Sequence, residues 1–304
     1  ISSLQSESFV KYYDFNHINY GAGVCLTKNG GYAILGNTKT PARGTEICLL
    51  ITDKYGNARQ KVKYYGKSLN DKANYLKSLP DGGFLIAGST QDSLRGDMDI
   101  LIIRIDAYGD TIWTRKFNSD NGDDEAFHCE LTNNNEIIIT GYATINHLAN
   151  GETVNSKQIW LNAIDMTGKS IWLFPKTFGG KNEDEGYCVK ELSDGYLVTG
   201  RTKSYAGSTF FHSFIMKTSL NGSLINIVPF GGNADEEGRC LNIINDTTYL
   251  MCGTTFNNTS GGSDVFLYSI KWRPKKSSYF VETSQKYGYS YNDKAKSMIM
   301  DGET

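Results

Sequence analysis

The chain has 304 residues, 39% hydrophobic and 21% charged, which is enough to build a sizeable core in one large domain or two small ones. A formal net charge of -2, with KWRPKK at 271–276 as its one dense basic run, argues against a nucleic-acid binder, which needs clustered Lys and Arg against phosphate. No apolar run reaches the roughly 18 residues of a membrane span, and no signal-peptide pattern opens the sequence. The chain begins at Ile1, so an export signal or lipid anchor upstream is an expectation left open. High Tyr (19) and Gly (32) with few Pro (5) point to an all-β chain rich in turns.

In chain order, SESFVKYYDF comes first and aligns with KVKYYG further on, so residues 7–14 are expected to form an outer strand. A repeat then begins. Gly36, Gly88, Gly141, Gly200 and Gly253 each end an apolar run, at spacings of 52 to 59 residues, and a fixed period of this size marks a repeat architecture. Each unit carries four parts. An acidic start precedes a first strand (NDKANYLKSL, DDEAFHCELT, EDEGYCVKEL, DEEGRCLNII). A turn and second strand follow (NGGYAILGNT, DGGFLIAGST, NNEIIITGYA, SDGYLVTGRT, DTTYLMCGTT), then a third strand such as DILIIRIDAYGD, then an aromatic-ended fourth such as TIWTRKFN. Each run is four to eight residues long, β-branched or aromatic, and bounded by Gly, Asn or Asp.

Four antiparallel strands per unit are the content of one β-propeller blade. The predicted fold is an all-β propeller of six blades, with seven as the alternative, in a single domain over 1–304. Its units are about 20–66, 67–118, 119–179, 180–231 and 232–288, with a partial one at 289–304 and the strand at 7–14 closing the ring.

The unit D-x-A, DGG-[FY]-x-[IVL]-x-G-x-T and D-x-x-L-x-x-[IL]-D-x-x-G-[ND]-x-x-W resembles the propeller repeats of secreted and lipid-anchored envelope proteins of Bacteroidota. The resemblance covers nearly the whole chain and fails at Trp272 to Ser278, where KWRPKKSS replaces the Asp-x-x-Gly turn. It implies a non-enzymatic binding or docking subunit of a bacterial cell-envelope complex, periplasmic or at the cell surface, beside or plugging an outer-membrane translocon of the type 9 secretion kind. The partner expected is a protein. The alternative is a glycan-binding or glycan-active propeller.

Copies within one chain separate scaffold from site. Recurring carboxylates before each first strand, among them Asp124, Glu125, Glu183, Asp184, Asp235 and Glu236, admit two readings. They either accept backbone N–H bonds in tight loops or form an acidic rim for calcium or a basic partner. No D-x-D-x-D-G loop is present, so no cofactor is expected and calcium stands only as the rim's alternative use. The loops after Gly141 and Gly200 vary most and bring His147, Tyr205, Phe210, Phe211 and His212. Aromatics among variable loops suit a binding face, unless Phe210 or Phe211 opens the third strand and packs between blades. Enzyme chemistry finds no nucleophile motif, and His128 has Tyr75, Cys188 and Cys240 as its counterparts, so a packed histidine is expected. The six cysteines are expected to be small buried hydrophobes.

Overall fold

A computed structural model describes residues 9–14, 18–40, 44–66, 70–119, 122–149, 152–256, 262–288 and 291–300. The strands form five four-stranded antiparallel sheets, each with its strands side by side in chain order. Sheet one holds β1 (Ile18–Leu26), β2 (Tyr32–Thr40), β3 (Gly44–Ile51) and β4 (Lys63–Tyr65). Sheet two holds β5 (Asp71–Ser78), β6 (Phe84–Gln91), β7 (Met98–Ile105) and β8 (Thr111–Phe117). Sheet three holds β9 (Glu125–Leu131), β10 (Glu136–Ala149), β11 (Glu152–Asp165) and β12 (Lys176–Phe178). Sheet four holds β13 (Asp184–Leu192), β14 (Gly195–Thr202), β15 (His212–Ser219) and β16 (Leu224–Phe230). Sheet five holds β17 (Glu236–Asn245), β18 (Thr248–Thr255), β19 (Asp264–Arg273) and β20 (Ser278–Tyr287). This is an all-β fold of the propeller type, built of four-stranded antiparallel blades. The chain divides into two compact units, Ile1–Lys116 and Phe117–Thr304.

Within each unit, successive sheets pack face to face through their middle strands. In the first unit Leu35 and Leu49 of sheet one meet Leu76, Ile86 and Leu101 of sheet two. In the second, β14 alternates: Tyr196 and Val198 face the sheet-three residues Ile138 and Leu161, while Leu197 faces Leu241 and Met251 of sheet five. A strand buried on both faces reads as a continuous apolar run, which is why YLVTG carries no polar alternation.

The recurring Gly-x-Thr has a geometric cause. Every first strand bulges opposite the recurring glycine, at Gly21/Gly23, Ala73/Tyr75, Ala126/His128, Gly186/Cys188 and Gly238/Cys240. The bulge pushes a first-strand carbonyl onto the glycine, so a Cβ on Gly88, Gly141 or Gly200 would stand 1.9 Å from the carbonyl oxygen of Lys72, Glu125 or Glu185. Only a residue without a side chain fits there. The Thr two residues later pairs across with the recurring carboxylate: Asp71 opposite Thr90, Asp184 opposite Thr202, Glu236 opposite Thr255. D-x-A and G-x-T are thus two halves of one cross-strand pair.

The turns follow the same economy. Asp53, Asp106 and Asp165 each accept backbone N–H bonds from residues two and four further on, fixing the third-to-fourth strand turn of three sheets. Sheet five replaces it with a short 3-10 turn at Pro274–Lys276 closed by Ser277 at φ 45, where the repeat motif fails in the sequence.

Three expectations need correction or placing. The segment after Gly141 is not a loop: β10 and β11 run on as a hairpin of two 14-residue strands, with His147 opposite Val154. The fourth strand of sheet three is confined to Lys176–Phe178, and Trp172 ahead of it is buried and donates to the Leu220 carbonyl at 3.2 Å. Residues 9–14 are in no strand and lie on the Asp53–Asn57 turn, with Tyr13 Oη 2.7 Å from the Gly56 carbonyl oxygen; residues 7–8 fall outside those described.

Candidate functional site

The acidic residues expected as a rim divide into two kinds. Asp124 is buried and accepts from Ser119 N (2.6 Å), Ser119 Oγ (2.9 Å) and Thr144 N (2.8 Å). Asp184, also buried, accepts from Thr202 Oγ1 (2.5 Å), Gly180 N (3.2 Å) and Ser204 N (3.2 Å). Asp235 accepts from Phe211 N at 2.7 Å, and Glu236 from Tyr268 Oη at 3.0 Å. These carboxylates fasten loops to strands. Burial raises the Asp184 and Glu236 carboxyls above their ordinary range, against the hydrogen bonds that oppose it. Glu183 is exposed, and its backbone carbonyl accepts from Lys203 N.

A second layer was missed at the level of sequence. One residue after the fastening carboxylate stand Glu185 and Glu237, only 3% and 5% exposed at the side chain, and above them lie cations with a quarter to a third of each side chain open. Lys157 (33% exposed) reaches Glu185 Oε1 at 3.2 Å, Arg201 (26%) reaches the same oxygen at 2.8 Å, and Arg239 (29%) reaches Glu237 Oε1 at 2.7 Å. Arg201 Nη1 stands 4.0 Å from Glu237 Oε2, completing a ladder Lys157, Glu185, Arg201, Glu237, Arg239 across sheets three to five. Tyr187 Oη donates to Glu185 Oε2 at 2.5 Å. Burial, the largest single influence, would raise the Glu185 carboxyl, but Arg201, Lys157 and Tyr187 together outweigh it and hold the group below its ordinary range.

Aromatic rings floor the ladder. Arg239 lies 4.0 Å over Tyr187, Lys157 4.1 Å over Tyr142, and Arg201 and Lys203 lie 4.2 and 4.1 Å from the Phe211 ring. Phe127 links Tyr142 and Tyr187 at ring distances of 5.8 and 4.9 Å. Phe127, Tyr187 and Arg239 are the bulged residues of β9, β13 and β17. Bulges re-aim side chains, and three successive bulges aim theirs into one surface.

Of the loop residues, Phe211 joins this surface as a buried ring next to β15, whereas Phe210 is exposed. Tyr205 is half-buried beside Asp184. His212 opens β15 near Glu236, and neither its Nε2 nor that of His147 finds a hydrogen-bond partner. Glu125 begins β9 and lies near Tyr142. A cavity of about 180 Å³ is lined by Arg201, Phe211, Asp235, Glu236, Glu237 and Phe256. His128 is buried. Four of the cysteines are buried and two half-buried, with Cys240 opposite Cys252 across β17 and β18. Among the described residues no three His, Cys, Asp or Glu side chains gather as metal ligands, and no helix is long and apolar enough to cross a membrane.

No family model matches the chain, and no curated protein matches it. Among solved structures it is similar to the WD40 domain of Neurospora crassa Pan2, at 11% identity and a TM-score of 0.45, over 82% of this chain and 75% of that one. A tail fiber of Staphylococcus aureus phage P68 is similar over 88% and 74% at 6% identity, with a TM-score of 0.20. The fold assignment rests on the sheet topology described above.

Proposed function

We propose that this chain is a non-enzymatic propeller that docks a protein partner, within a bacterial cell-envelope complex at the outer membrane, beside or plugging a protein translocon. The observation that carries docking is the ladder: its carboxylates are buried and satisfied while its cations, a quarter to a third open, lie outermost over the buried rings of Tyr142, Tyr187 and Phe211. Catalytic carboxylates need environments that push two pKa values apart around a reacting atom; here Glu185 and Glu237 are taken up by cations, Asp124, Asp184 and Asp235 by loops, and Glu236 by Tyr268. The envelope setting rests on the repeat's resemblance to Bacteroidota envelope propellers. Affinity isolation of the tagged chain from a cross-linked membrane fraction is expected to recover a stoichiometric membrane complex. Recovery of nothing beyond an untagged control would sink the docking reading. A glycan-binding reading draws on the cavity beside Phe211 and Phe256 and predicts retention of oligosaccharide by the isolated chain.

A further inference from the structure

We infer that the ladder surface of sheets three to five recognises the carboxylate side chains of an acidic segment in the partner; this rests on the docking reading above. The surface is sorted by depth. Glu185 and Glu237 lie beneath, almost wholly enclosed, and Lys157, Arg201 and Arg239 stand over them with a quarter to a third of each side chain open. Lys203 adds a fourth cation, over Phe211. Of the other acids at the sheet-four and sheet-five end, Asp235 is turned to Phe211 N and Glu236 to Tyr268 Oη, while Glu183, ahead of β13, is exposed. Over Glu185 and Glu237 the outermost charges are thus the four cations, in a chain whose net charge is -2.

The guanidiniums are also fixed in place. Arg239 donates Nε and Nη2 to a single carboxylate oxygen, at 2.9 and 2.7 Å, and stands 4.0 Å over the Tyr187 ring. Arg201 donates Nη2 to Glu185 and lies on Phe211, while its Nη1 is beyond hydrogen-bond reach of Glu237 at 4.0 Å. A guanidinium held by one carboxylate and stacked on a ring has lost its side-chain entropy before any ligand arrives, yet keeps in-plane N–H groups for a second carboxylate. At the sheet-three end Asp123 and Glu125 lie near Tyr142 and give the surface a polarity, so the acidic segment is placed over sheets four and five.

Fluorescence anisotropy with a labelled oligo-glutamate peptide tests this, with oligo-lysine and oligogalacturonate as comparison probes. Oligo-glutamate is expected to bind at low salt and oligo-lysine not to. Arg239→Gln and Lys203→Gln together should weaken binding by about 10-fold or more, Arg239→Lys by less, and Lys63→Gln in sheet one not at all. Unchanged melting transitions of the Lys203→Gln and Arg239→Lys variants keep the comparison free of unfolding. Absence of oligo-glutamate binding, indifference to Arg239→Gln, or preference for oligogalacturonate overturns the inference. If the membrane complex is still recovered with the Arg239→Gln, Lys203→Gln chain, docking stands and this surface is not its site.

Discussion

The residue after the recurring glycine does one job in sheets one and five and another in sheets three and four. In sheet one it is Asn37, which donates Nδ2 to the Ala73 carbonyl at 2.9 Å and accepts from Ala73 N at 2.7 Å, fastening sheet one to sheet two. Sheet five repeats the device with Thr254, whose Oγ1 accepts from Ala295 N at 3.2 Å. In sheets three and four the same position is Tyr142 and Arg201, and the receiving Ala has become Gly186 and Gly238. The exchange is compensated: a Cβ at Gly186 would meet Thr140 Oγ1 at 2.4 Å, and one at Gly238 would meet Thr199 Oγ1 at 2.3 Å. A buried threonine fills the space that an alanine fills elsewhere, and the released side chain joins the ladder. Scaffold and site thus occupy one backbone position, and the neighbouring residues decide which.

The widest perturbation should come from what both regions share. Gly200→Ala would press a Cβ against the Glu185 carbonyl, and Gly88→Ala one against that of Lys72, each at 1.9 Å with backbone on the other side. Each is expected to cost about 4 kcal/mol or more, because neither strand can retreat without losing its ladder; urea unfolding of the two variants should give similar losses. A loss under about 1 kcal/mol in either would break the common bulge geometry.

Next in size is Asn37→Ala, which leaves a buried N–H and C=O of Ala73 without their side-chain partner and is expected to cost about 2–3 kcal/mol. Arg201→Gln at the matching position is expected to cost about 1 kcal/mol, since Lys157 and Tyr187 still hold Glu185 and Arg239 still holds Glu237. The contrast lies in function: Arg201→Gln should abolish most of the anion binding, and Asn37→Ala, where folded, should leave it intact. Equal stability losses at the two positions would remove the distinction between fastening and recognition.

Much of the fold was legible because the glycine spacing and the Asp-x-x-Gly turns are local signals that the backbone enforces. The site was less so. Arg201 sits inside the G-x-T motif and reads as scaffold, and Glu185 and Glu237 read as surplus acids beside Asp184 and Glu236. The bulge at Phe127, Tyr187 and Arg239 leaves no mark in hydrophobic alternation, so their common direction is invisible without register. One signal was present: Gly186 and Gly238 replace alanine where Thr140 and Thr199 precede the recurring glycine. The hairpin of β10 and β11 was missed because polar residues such as Asn146 and Asn155 pair across it, and strand pairing beyond a sheet's core needs no apolar face.

The smallest expected effect separates the two kinds of carboxylate by pH. Glu236 fastens Tyr268, and burial lifts its carboxyl above the ordinary 4.5 despite Tyr268 and Lys286, so the folded chain holds that proton more tightly than the unfolded one. Its contribution to stability is complete below 4.5 and is lost as pH rises through the raised folded value. Glu236→Gln keeps an acceptor for Tyr268 and removes the buried charge, so it should raise stability at neutral pH by less than Asn37→Ala lowers it, with the gain vanishing in acid. Glu185 has the opposite sign: Arg201, Lys157 and Tyr187 together hold its carboxyl below 4.5, so its stabilisation is present above that value and is lost as pH falls through the lower folded one. Glu185→Gln should therefore lower stability at neutral pH and converge on the parent chain in acid. Urea titrations of both variants from neutral to acid pH should give difference curves of opposite sign, and curves of the same sign would mean that Glu185 is another fastening carboxylate and the ladder no separate layer.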